Sequence, residues 1–413
     1  MVGWDRTEAR RGKEGVKIGI VCYPTYGGSG AVATELGLGL AERGHEVHFI
    51  SYAPPFRLSR FRERVYFHEV EMEDYPLFEH PPYSLALAVS IHQVSGDHGL
   101  DLVHVHYAIP HATSAWLAGQ MFGLEDRPRI ITTLHGTDIT LLGQHPSFRS
   151  ITRFSILQSD GLTAVSDYLR EETRRNFDVN VDRLRVIPNF IDTDIYRRDR
   201  EPCHRAKFAN DDEKLLMHVS NFRPVKRVED VVGIFAKVSR EIPSRLVMVG
   251  DGPDRVRAQQ RAEELDVSDR VIFLGKHLSV DEVLACADLF LLPSESESFG
   301  LAALEAMSCG TPVVASRVGG LPEVVEDGGS GRLFPVGDVE SMANGVVEIL
   351  SSRDRWRAMS HRSREIALTR FSATAIVGVY EDFYREVLDA SVSGQGSSLL
   401  SIGPVGSLVQ ADL

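Results

Sequence analysis

The sequence lacks the patterns that would place it in a membrane or cross-link it covalently. Across its 413 residues no apolar run approaches the roughly 18 residues that a membrane-spanning helix needs. The opening "MVGWDRTEARRGKEG" has no apolar signal-peptide core, so we expect residues 1–15 to form a solvated, flexible tail. The four cysteines have no paired spacing, which predicts neither a disulfide framework nor a zinc site and favours a reducing cytoplasm.

Excess positive charge is also missing. The 45 basic and 58 acidic residues give a net charge of −13. A chain this acidic is a poor candidate for non-specific binding to nucleic acid or to an anionic membrane. A phosphorylated ligand would need positive charge placed locally, so any small basic cluster is informative.

Known nucleotide fingerprints are absent from the glycine turn in "CYPTYGGSGAVATELGLGLAERGHEV" (22–47), where a strand-like run becomes helical. The turn contains neither G-x-G-x-x-G nor the Gly-Lys-Ser/Thr of a P-loop. Its glycines would let the backbone approach an anion, and the N–H groups of the following helix would point at it. Tight packing between strand and helix explains the same residues, so both interpretations stand at this point.

Strand-like and helical runs alternate along almost the whole chain, which predicts parallel sheets in an α/β fold. A polar, proline-bearing stretch at 184–214 interrupts the pattern. We therefore expect two doubly wound Rossmann-like domains, 16–188 and 189–371, facing each other across a cleft. The helical run 372–390 is expected to pack back on the first domain, and the serine- and glycine-rich 391–413 to be disordered. Ligands of such sheets bind beyond the carboxyl ends of the strands, which places the site in the cleft.

A basic cluster follows one of these strands. "HVSNFRPVKRVEDVV" places Arg223, Lys226 and Arg227 at the start of a helix. Helix starts normally favour acidic residues, so three basic ones indicate an anion site suited to a diphosphate. A solvated charged turn is the alternative.

Two glutamates stand eight residues apart in "SESESFGLAALEAMSCGTPVVAS". If a helix begins near Gly300, Glu297 lies in the loop before it and Glu305 on its second turn. One carboxylate could accept hydrogen bonds from a sugar and the other from a ribose. Backbone N–H groups near Gly300 and Leu301 would be free for phosphate. The spacing alone also fits a solvated helix face, but its combination with the basic loop is specific.

These motifs, with "VGDGP" and "PVVASRVGGLPEVV", resemble the retaining glycosyltransferases of family 4, which have the GT-B fold, over roughly residues 16–388. The resemblance implies that Arg223 and Lys226 hold the donor's diphosphate, with the base pocket along 249–253 and 274–277. It implies that Glu297 binds the sugar and Glu305 the ribose. The expected donor-binding residues are Gly28, Arg223, Lys226, Gly250, Gly252, His277, Glu297, Phe299, Gly300, Leu301 and Glu305.

The first half resembles one branch of this family, through "IGIVCYPTYGGSGAVATELG", "PFRL", "HVHYAIPHA", "TTLHGTDIT" and "VIPNFID". Enzymes of that branch transfer N-acetylglucosamine from UDP-N-acetylglucosamine (UDP-GlcNAc) to the hydroxyl of L-malate, the first step of bacillithiol biosynthesis. The resemblance implies no cofactor and no metal besides these substrates. The expected acceptor-binding residues are Ser29, Gly30, Tyr107, Thr133, Asn189 and Arg223. The expected catalytic residues are His135, Arg223, Lys226 and Glu297.

Three patterns suggest other chemistry. Asp192 and Asp194 form a D-x-D like the metal motif of the other glycosyltransferase fold, but they follow the domain connection. His104 and His106 share one face of a strand, as zinc ligands do, and lack a clear third ligand, although His111 is near. His135 could be a core histidine instead of a polar group of the cleft. We expect no metal at any of these positions.

Rival functions remain open. A non-catalytic sugar-binding protein would need no diphosphate clamp and would usually carry an export signal. An epimerase or hydrolase of the same fold would turn over UDP-GlcNAc without acceptor. A lipid-linked acceptor is disfavoured because residues 81–101 contain no Lys or Arg that would bind an anionic membrane. The oligomeric state is not determined, and a homo-oligomer is compatible with the sequence.

Overall fold

The computed structural model describes residues 15–24, 27–58, 60–72, 80–123, 126–199, 204–277 and 279–392. Nearly all of the two expected tails, 1–15 and 391–413, lies outside these residues. The described part contains two parallel sheets covered by helices, which confirms the predicted α/β class with two Rossmann-like units.

The first half forms a seven-stranded parallel sheet in the order β3-β2-β1-β4-β5-β6-β7. Its central strands are buried because helices cover both faces. The strands are β1 (Lys17–Val21), β2 (Glu46–Ser51), β3 (Val65–Glu69), β4 (Leu102–His106), β5 (Arg129–Leu134), β6 (Gly161–Ala164) and β7 (Leu184–Val186). The helices are α1 (Gly28–Glu42), α2 (Tyr83–His98), α3 (Thr113–Gln120), α4 (Pro146–Gln158) and α5 (Asp167–Phe177).

The second half forms a six-stranded parallel sheet in the order β10-β9-β8-β11-β12-β13. Its strands are β8 (Lys214–Val219), β9 (Ser244–Val249), β10 (Val271–Gly275), β11 (Leu289–Leu292), β12 (Val313–Ser316) and β13 (Gly331–Phe334). The helices are α6 (Val228–Val238), α7 (Arg255–Glu264), α8 (Asp281–Leu284), α9 (Leu301–Ser308), α10 (Leu321–Val324), α11 (Val339–Leu350), α12 (Arg353–Arg370) and α13 (Ala373–Val392). No helix within the described ranges has both the length and the apolar character to cross a membrane.

Two short strands, β7 and β13, do not follow from the sequence pattern, and β7 falls inside the stretch expected to be a connection. Both lie at sheet edges. An edge strand is covered less completely than a central one, so it needs fewer apolar residues. Arg185 at the centre of β7 is exposed, which interrupts the apolar run that would mark a strand.

The last helix, α13, returns to the first sheet. Its side chains Ile376, Val377 and Tyr380 share a core with Ile18 and Leu36 of that half. The chain crosses between the halves twice at one place, where the Ile191 N–H donates to the Phe371 carbonyl and the Ala373 N–H to the Ile191 carbonyl, both at 2.9 Å. This paired crossing ties the two halves together.

A single apolar cluster also spans the two halves. Leu134 and Leu162 of the first sheet belong to it, as do Phe299, Leu304 and Leu321 of the second half. The loops that end the strands of one sheet therefore lie against those of the other. This arrangement brings the sequence motifs together.

Candidate functional site

Three of the described non-glycine residues with positive φ stand in loops that follow strands of the two halves. Tyr107, with a φ of 89°, directly follows β4; Phe222, with a φ of 43°, follows β8; and Arg227, with a φ of 49°, precedes α6. A left-handed conformation costs a residue with a side chain about 1–2 kcal/mol. Such strain gathers at functional sites, where the surrounding structure enforces it. The loops after β4 and β8 are therefore candidate parts of a functional site.

Glycines after β9 hold the basic loop after β8 in its path. A Cβ on Gly250 would lie 1.7 Å from the Ser220 carbonyl oxygen, and one on Gly252 2.0 Å from the Asn221 oxygen. Only glycine fits either position. The fixed loop presents Arg223 as an exposed side chain that has no hydrogen-bond or ion-pair partner in the described ranges. Its guanidinium is available to an anion.

Lys226 and Glu297 form a direct ion pair. The Lys226 Nζ lies 2.6 Å from Glu297 Oε1, and the Ser294 hydroxyl donates to the same oxygen at 2.8 Å. An ammonium has three donors and a carboxylate about four lone pairs, so this contact leaves capacity on both groups. The pair can therefore bind hydroxyls of a sugar through the carboxylate and an anion through the ammonium.

The loop that carries Glu297 is fixed by its backbone. The Gly320 N–H donates to the Glu297 carbonyl at 2.9 Å. A Cβ on Gly319 would lie only 1.8 Å from that same oxygen. Gly300, with a φ of 97°, ends the loop, and α9 begins at Leu301. The Phe299 ring is buried against Phe371, so Phe299 can offer a ligand only its backbone.

Two turns of the first half contact this loop closely. A Cβ on Gly136 would lie 1.6 Å from Ser298 Oγ, and one on Gly28 3.3 Å from Leu301 Cδ2. The Ser166 hydroxyl also donates to the Ser298 carbonyl at 2.6 Å. The glycine turn before α1, the turn after β5 and the Glu297 loop thus form one continuous surface.

The start of α1 carries donors for a small anion. Ser29 Oγ lies 2.7 Å from the Tyr107 hydroxyl. No side chain of the described residues caps the helix, whose N-cap is Gly27, so its first N–H groups have no helical partner and are free to donate. Burial raises the pKa of Tyr107 to about 12, with the nearby Arg223 acting in the opposite direction. Tyr107 is therefore a neutral hydroxyl within electrostatic range of a cation from the other half.

His135 stands at the end of β5 in a rigid turn. The Asp138 carboxylate accepts from the N–H groups of Gly136 (3.0 Å) and Ala108 (2.9 Å). His135 Nε2 lies 2.8 Å from His106 Nδ1, and its Nδ1 has no hydrogen-bond partner in the described part of the chain. Burial lowers the pKa of His135 to about 3. A neutral imidazole of this kind can hydrogen-bond a substrate but is a poor base near pH 7.

Sequence reasoning missed Asp138 and His106, which hold His135 in place. Asp138 is three residues from His135 in "LHGTD", a spacing that could have indicated a turn-stabilising carboxylate. No local signal links His106 to His135, since His106 ends β4, His135 follows β5, and the two are 29 residues apart.

Three expected ligand side chains are not among the contacts that form the surface of these turns. The Thr133 hydroxyl is buried, 2.6 Å from His104 Nε2 and 2.7 Å from the Thr163 hydroxyl. Asn189 is also buried, and among the described residues its Oδ1 has no hydrogen-bond partner. His277 is exposed two residues after β10. Direct ligand contact by these three side chains stays a prediction.

Glu305 faces the crossing between the halves. Its Oε1 accepts from the Tyr196 hydroxyl at 3.0 Å and lies 3.6 Å from an Arg57 nitrogen. Arg57 also donates to Glu35 at 3.1 Å. A small, partly open pocket adjoins these groups and is also lined by Phe190 and Leu301. Burial raises the pKa of Glu305, with Arg57 acting in the opposite direction; its role toward a ribose stays a prediction.

The candidate metal motifs are used for other contacts. Asp192 Oδ1 accepts from the N–H groups of Asp194 (2.8 Å) and Ile195 (3.2 Å), which stabilises a turn. Both ring nitrogens of His104 are engaged, by the Tyr384 hydroxyl at 2.7 Å and by Thr133. His104 therefore has no free nitrogen for a zinc ion.

Known protein families match both halves of the chain. Residues 26–195 match the family described as Glycosyltransferase Family 4, and residues 199–366 match Glycosyl transferases group 1. The chain is 48% identical over 92% of its length to N-acetyl-alpha-D-glucosaminyl L-malate synthase of Bacillus anthracis, covering 99% of that protein. It is 30% identical to D-inositol 3-phosphate glycosyltransferase of Mycolicibacterium smegmatis, over 70% of this chain and 68% of that protein.

Solved structures share the fold. Sucrose-phosphate synthase from Thermosynechococcus elongatus superposes with a TM-score of 0.77 at 22% identity, covering 91% of this chain and 100% of that one. Anabaena Alr3699/HepE in complex with UDP and glucose superposes with a TM-score of 0.75 at 20% identity, covering 89% of this chain and 98% of that one. These neighbours are GT-B proteins, which confirms the predicted fold.

Buried histidines near the site should make the protein sensitive to acid. Burial lowers the pKa of His104 and of His135 to about 3, whereas an unfolded histidine titrates near pH 6.5. Because the folded pKa is the lower one, the stabilisation is complete above pH 6.5 and is lost as the pH falls from there toward 3. Between about pH 7.5 and about pH 5.5 the free energy of unfolding in urea should fall by about 1.4 kcal/mol per histidine.

The matched variant is His135→Asn, which cannot titrate and should reduce this fall by about 1.4 kcal/mol. A constant m-value would show that the same transition is compared at both pH values. Equal stability of the parent protein at the two pH values would contradict the buried neutral state.

Proposed function

The chain belongs to the family 4 glycosyltransferases, and on this premise we propose that it transfers N-acetylglucosamine from UDP-GlcNAc to the hydroxyl of L-malate. The observation that carries the proposal is the near full-length similarity to the Bacillus anthracis synthase. A site that combines a free guanidinium, a lysine–glutamate pair and an uncapped helix start supports it. The proposed product, GlcNAc-malate, enters bacillithiol biosynthesis.

The basic loop would stabilise the leaving group. As the bond between the sugar C1 and the phosphate oxygen breaks, negative charge grows on the departing UDP. Arg223 and Lys226 are preorganised on a loop that Gly250 and Gly252 hold in place, so they need little reorganisation to meet that charge. Glu297, oriented by Lys226 and Ser294, would accept hydrogen bonds from the sugar hydroxyls.

The acceptor would sit at the start of α1. The N–H groups of Gly28–Gly30 and the Ser29 hydroxyl can donate to one carboxylate of malate, and Tyr107 and Arg223 supply donors nearby. Arg57, a further cation of this half, is already engaged by Glu35 and Tyr196. These hydrogen-bond donors, with few free cations beside them, suit a small dicarboxylate better than an inositol phosphate.

Chemistry would proceed with retention of configuration, as the family resemblance implies. The malate hydroxyl forms the new bond to C1 on the face that UDP leaves, and its proton passes to a diphosphate oxygen. His135 has too low a pKa to take that proton at neutral pH, so its part is a hydrogen bond to the sugar.

We propose that these steps need no divalent metal, since two cations of the chain address the diphosphate. UDP release should be the same in EDTA as in buffer, and a loss restored only by magnesium or manganese would overturn this.

The proposed setting is the cytoplasm, in keeping with the free thiols of Cys22, Cys286 and Cys309.

Removing either cation of the basic loop should cripple turnover. We expect Arg223→Ala and Lys226→Ala each to lower kcat on the order of 100-fold or more, because each removes a preorganised charge donor. The control is Arg257→Ala on α7, whose side chain is 65% exposed and which should keep parental activity. Steady-state UDP release measures the effect, and circular dichroism checks the fold. A folded Arg223→Ala enzyme with near-parental kcat would remove Arg223 from the site.

Acceptor choice tests the malate assignment. With UDP-GlcNAc as donor, L-malate should exceed lactate by about tenfold or more in kcat/KM, because lactate lacks one carboxylate and its charge-assisted hydrogen bonds. D-malate and D-inositol 3-phosphate complete the series, and product mass identifies what is formed. If lactate or the inositol phosphate matched L-malate, only the glycosyltransferase class would stand. UDP release without any acceptor at the same rate would indicate a hydrolase instead.

A further inference from the structure

Three histidines meet at the outer side of the first sheet. His48 lies on β2, His68 on the edge strand β3, and His98 is the last residue of α2. One ring nitrogen from each lies within 4.8 Å of the other two. The three residues, here named the histidine cluster, are separated by 20 and 30 positions in the sequence, so only the fold brings them together.

The cluster lies at the edge of the sheet formed by β3 and β2, and β1 separates this edge from β4 and β5, which Tyr107 and His135 follow. Lys17 and Glu46, the first residues of β1 and β2, border the cluster: the Lys17 ammonium donates to the His98 carbonyl at 3.0 Å and pairs with Glu46 at 3.1 Å. His48 is the third residue of β2 and His68 the fourth of β3, so the cluster lies along this edge, away from the groups of the candidate active site. The proposed transfer reaction makes no use of these histidines.

Hydrogen bonds around His48 fix the orientation of its ring. His48 Nε2 lies 3.0 Å from Glu46 Oε1, and a carboxylate can only accept, so Nε2 carries the hydrogen. The Nδ1 lone pair then faces His68 Nε2 at 2.9 Å. A carboxylate behind a histidine is the usual outer-shell support of a metal ligand.

We propose that His48, His68 and His98 bind one divalent transition-metal ion, with Zn²⁺ as the best match. Three imidazoles with a fourth position open to water are an established zinc donor set. The hydrogen that His68 Nε2 donates to His48 Nδ1 would move to His68 Nδ1, which leaves a lone pair on each of the two facing nitrogens, so both rings stay neutral and binding releases no proton from them. Small rotations of the His68 and His98 rings, which are only partly buried, bring the nitrogens to bonding distance.

The protonation state supports the same assignment, since neutral imidazole is the form that binds metal. Burial lowers the pKa of His48, and burial together with the neighbouring rings lowers that of His68 to about 4. Both rings are therefore neutral at physiological pH, so neither has to lose a proton before it can bind the ion.

The ion would fasten the sheet edge. Of the strands in the first sheet, β3 is an edge strand paired only with β2, and Tyr66 on it is exposed. A metal shared by β2, β3 and the end of α2 would add a link from the helix end to two paired strands, beside the ring contacts that His98 makes with His48 and His68. The ion would lie away from the groups that the transfer reaction uses, so it is consistent with transfer chemistry that needs no metal.

The test uses the full chain without a histidine tag, stripped of metal with EDTA and then dialysed. Titration with Zn²⁺ against a chromophoric chelator should give one ion per chain, and Zn²⁺ should raise the midpoint of thermal unfolding. His68→Gln and His98→Gln should each weaken binding by about 100-fold or more, and Glu46→Gln by about 10–100-fold. The matched control is His361→Gln, an exposed histidine on α12, which should bind Zn²⁺ as the parent does.

Circular dichroism of the metal-free variants separates binding from folding. A loss of Zn²⁺ affinity counts only for a variant, His68→Gln or His98→Gln, that keeps the parental spectrum. Glu46→Gln retains all three rings and provides a further variant that is expected to fold. Absence of stoichiometric binding to the parent would overturn the proposal and leave a hydrogen-bonded histidine cluster. Binding that persists unchanged in His68→Gln or Glu46→Gln would equally overturn it, since the ion would then lie elsewhere.

Discussion

The site depends on the close contact between Gly136, in the turn after β5, and the Ser298 side chain, in the loop before α9. Any side chain at position 136 would overlap Ser298, so the two segments can approach this closely only because residue 136 is a glycine. Through this contact His135 of one half and Glu297 of the other share one surface. Ser166 reinforces it from the first half by donating to the Ser298 carbonyl. A site built from two sheets needs such a contact, since neither half holds all of its groups.

Charge is arranged locally in a molecule whose net charge is −13. Many basic side chains of the described residues are engaged by carboxylates, as Arg57 is by Glu35 and Lys226 by Glu297. Arg223 differs because it is exposed and has no carboxylate partner within the part of the chain that the structure describes. An anion can bind the Arg223 guanidinium and the donors of Lys226 that its pair with Glu297 leaves free. The acidic remainder of the surface disfavours non-specific binding of polyanions.

Sequence reasoning reached the fold and the loops because both depend on local signals. Alternating strand and helix periods, the basic loop and the glutamate spacing are each visible within 25 residues, and the helix expected near Gly300 does begin at Leu301. It did not foresee that Thr133 is buried beneath His104, because the helix that covers them, α13, comes about 240 positions later in the chain. The Phe299 ring is hidden for the same reason, since its partner Phe371 lies beyond the second sheet. The histidine cluster likewise joins residues that no local motif connects.

The central claim, that close packing of Gly136 on Ser298 assembles the active surface, is tested most directly by a double-mutant cycle on UDP-GlcNAc turnover with L-malate. An alanine at position 136 would collide with the Ser298 side chain, and a displacement of this kind typically costs about 100-fold in rate. Replacing Ser298 by glycine in the same chain removes the colliding atoms, so Gly136→Ala with Ser298→Gly should recover about tenfold in kcat/KM over Gly136→Ala alone. Simple addition of the two single losses, or full activity of Gly136→Ala, would contradict the account.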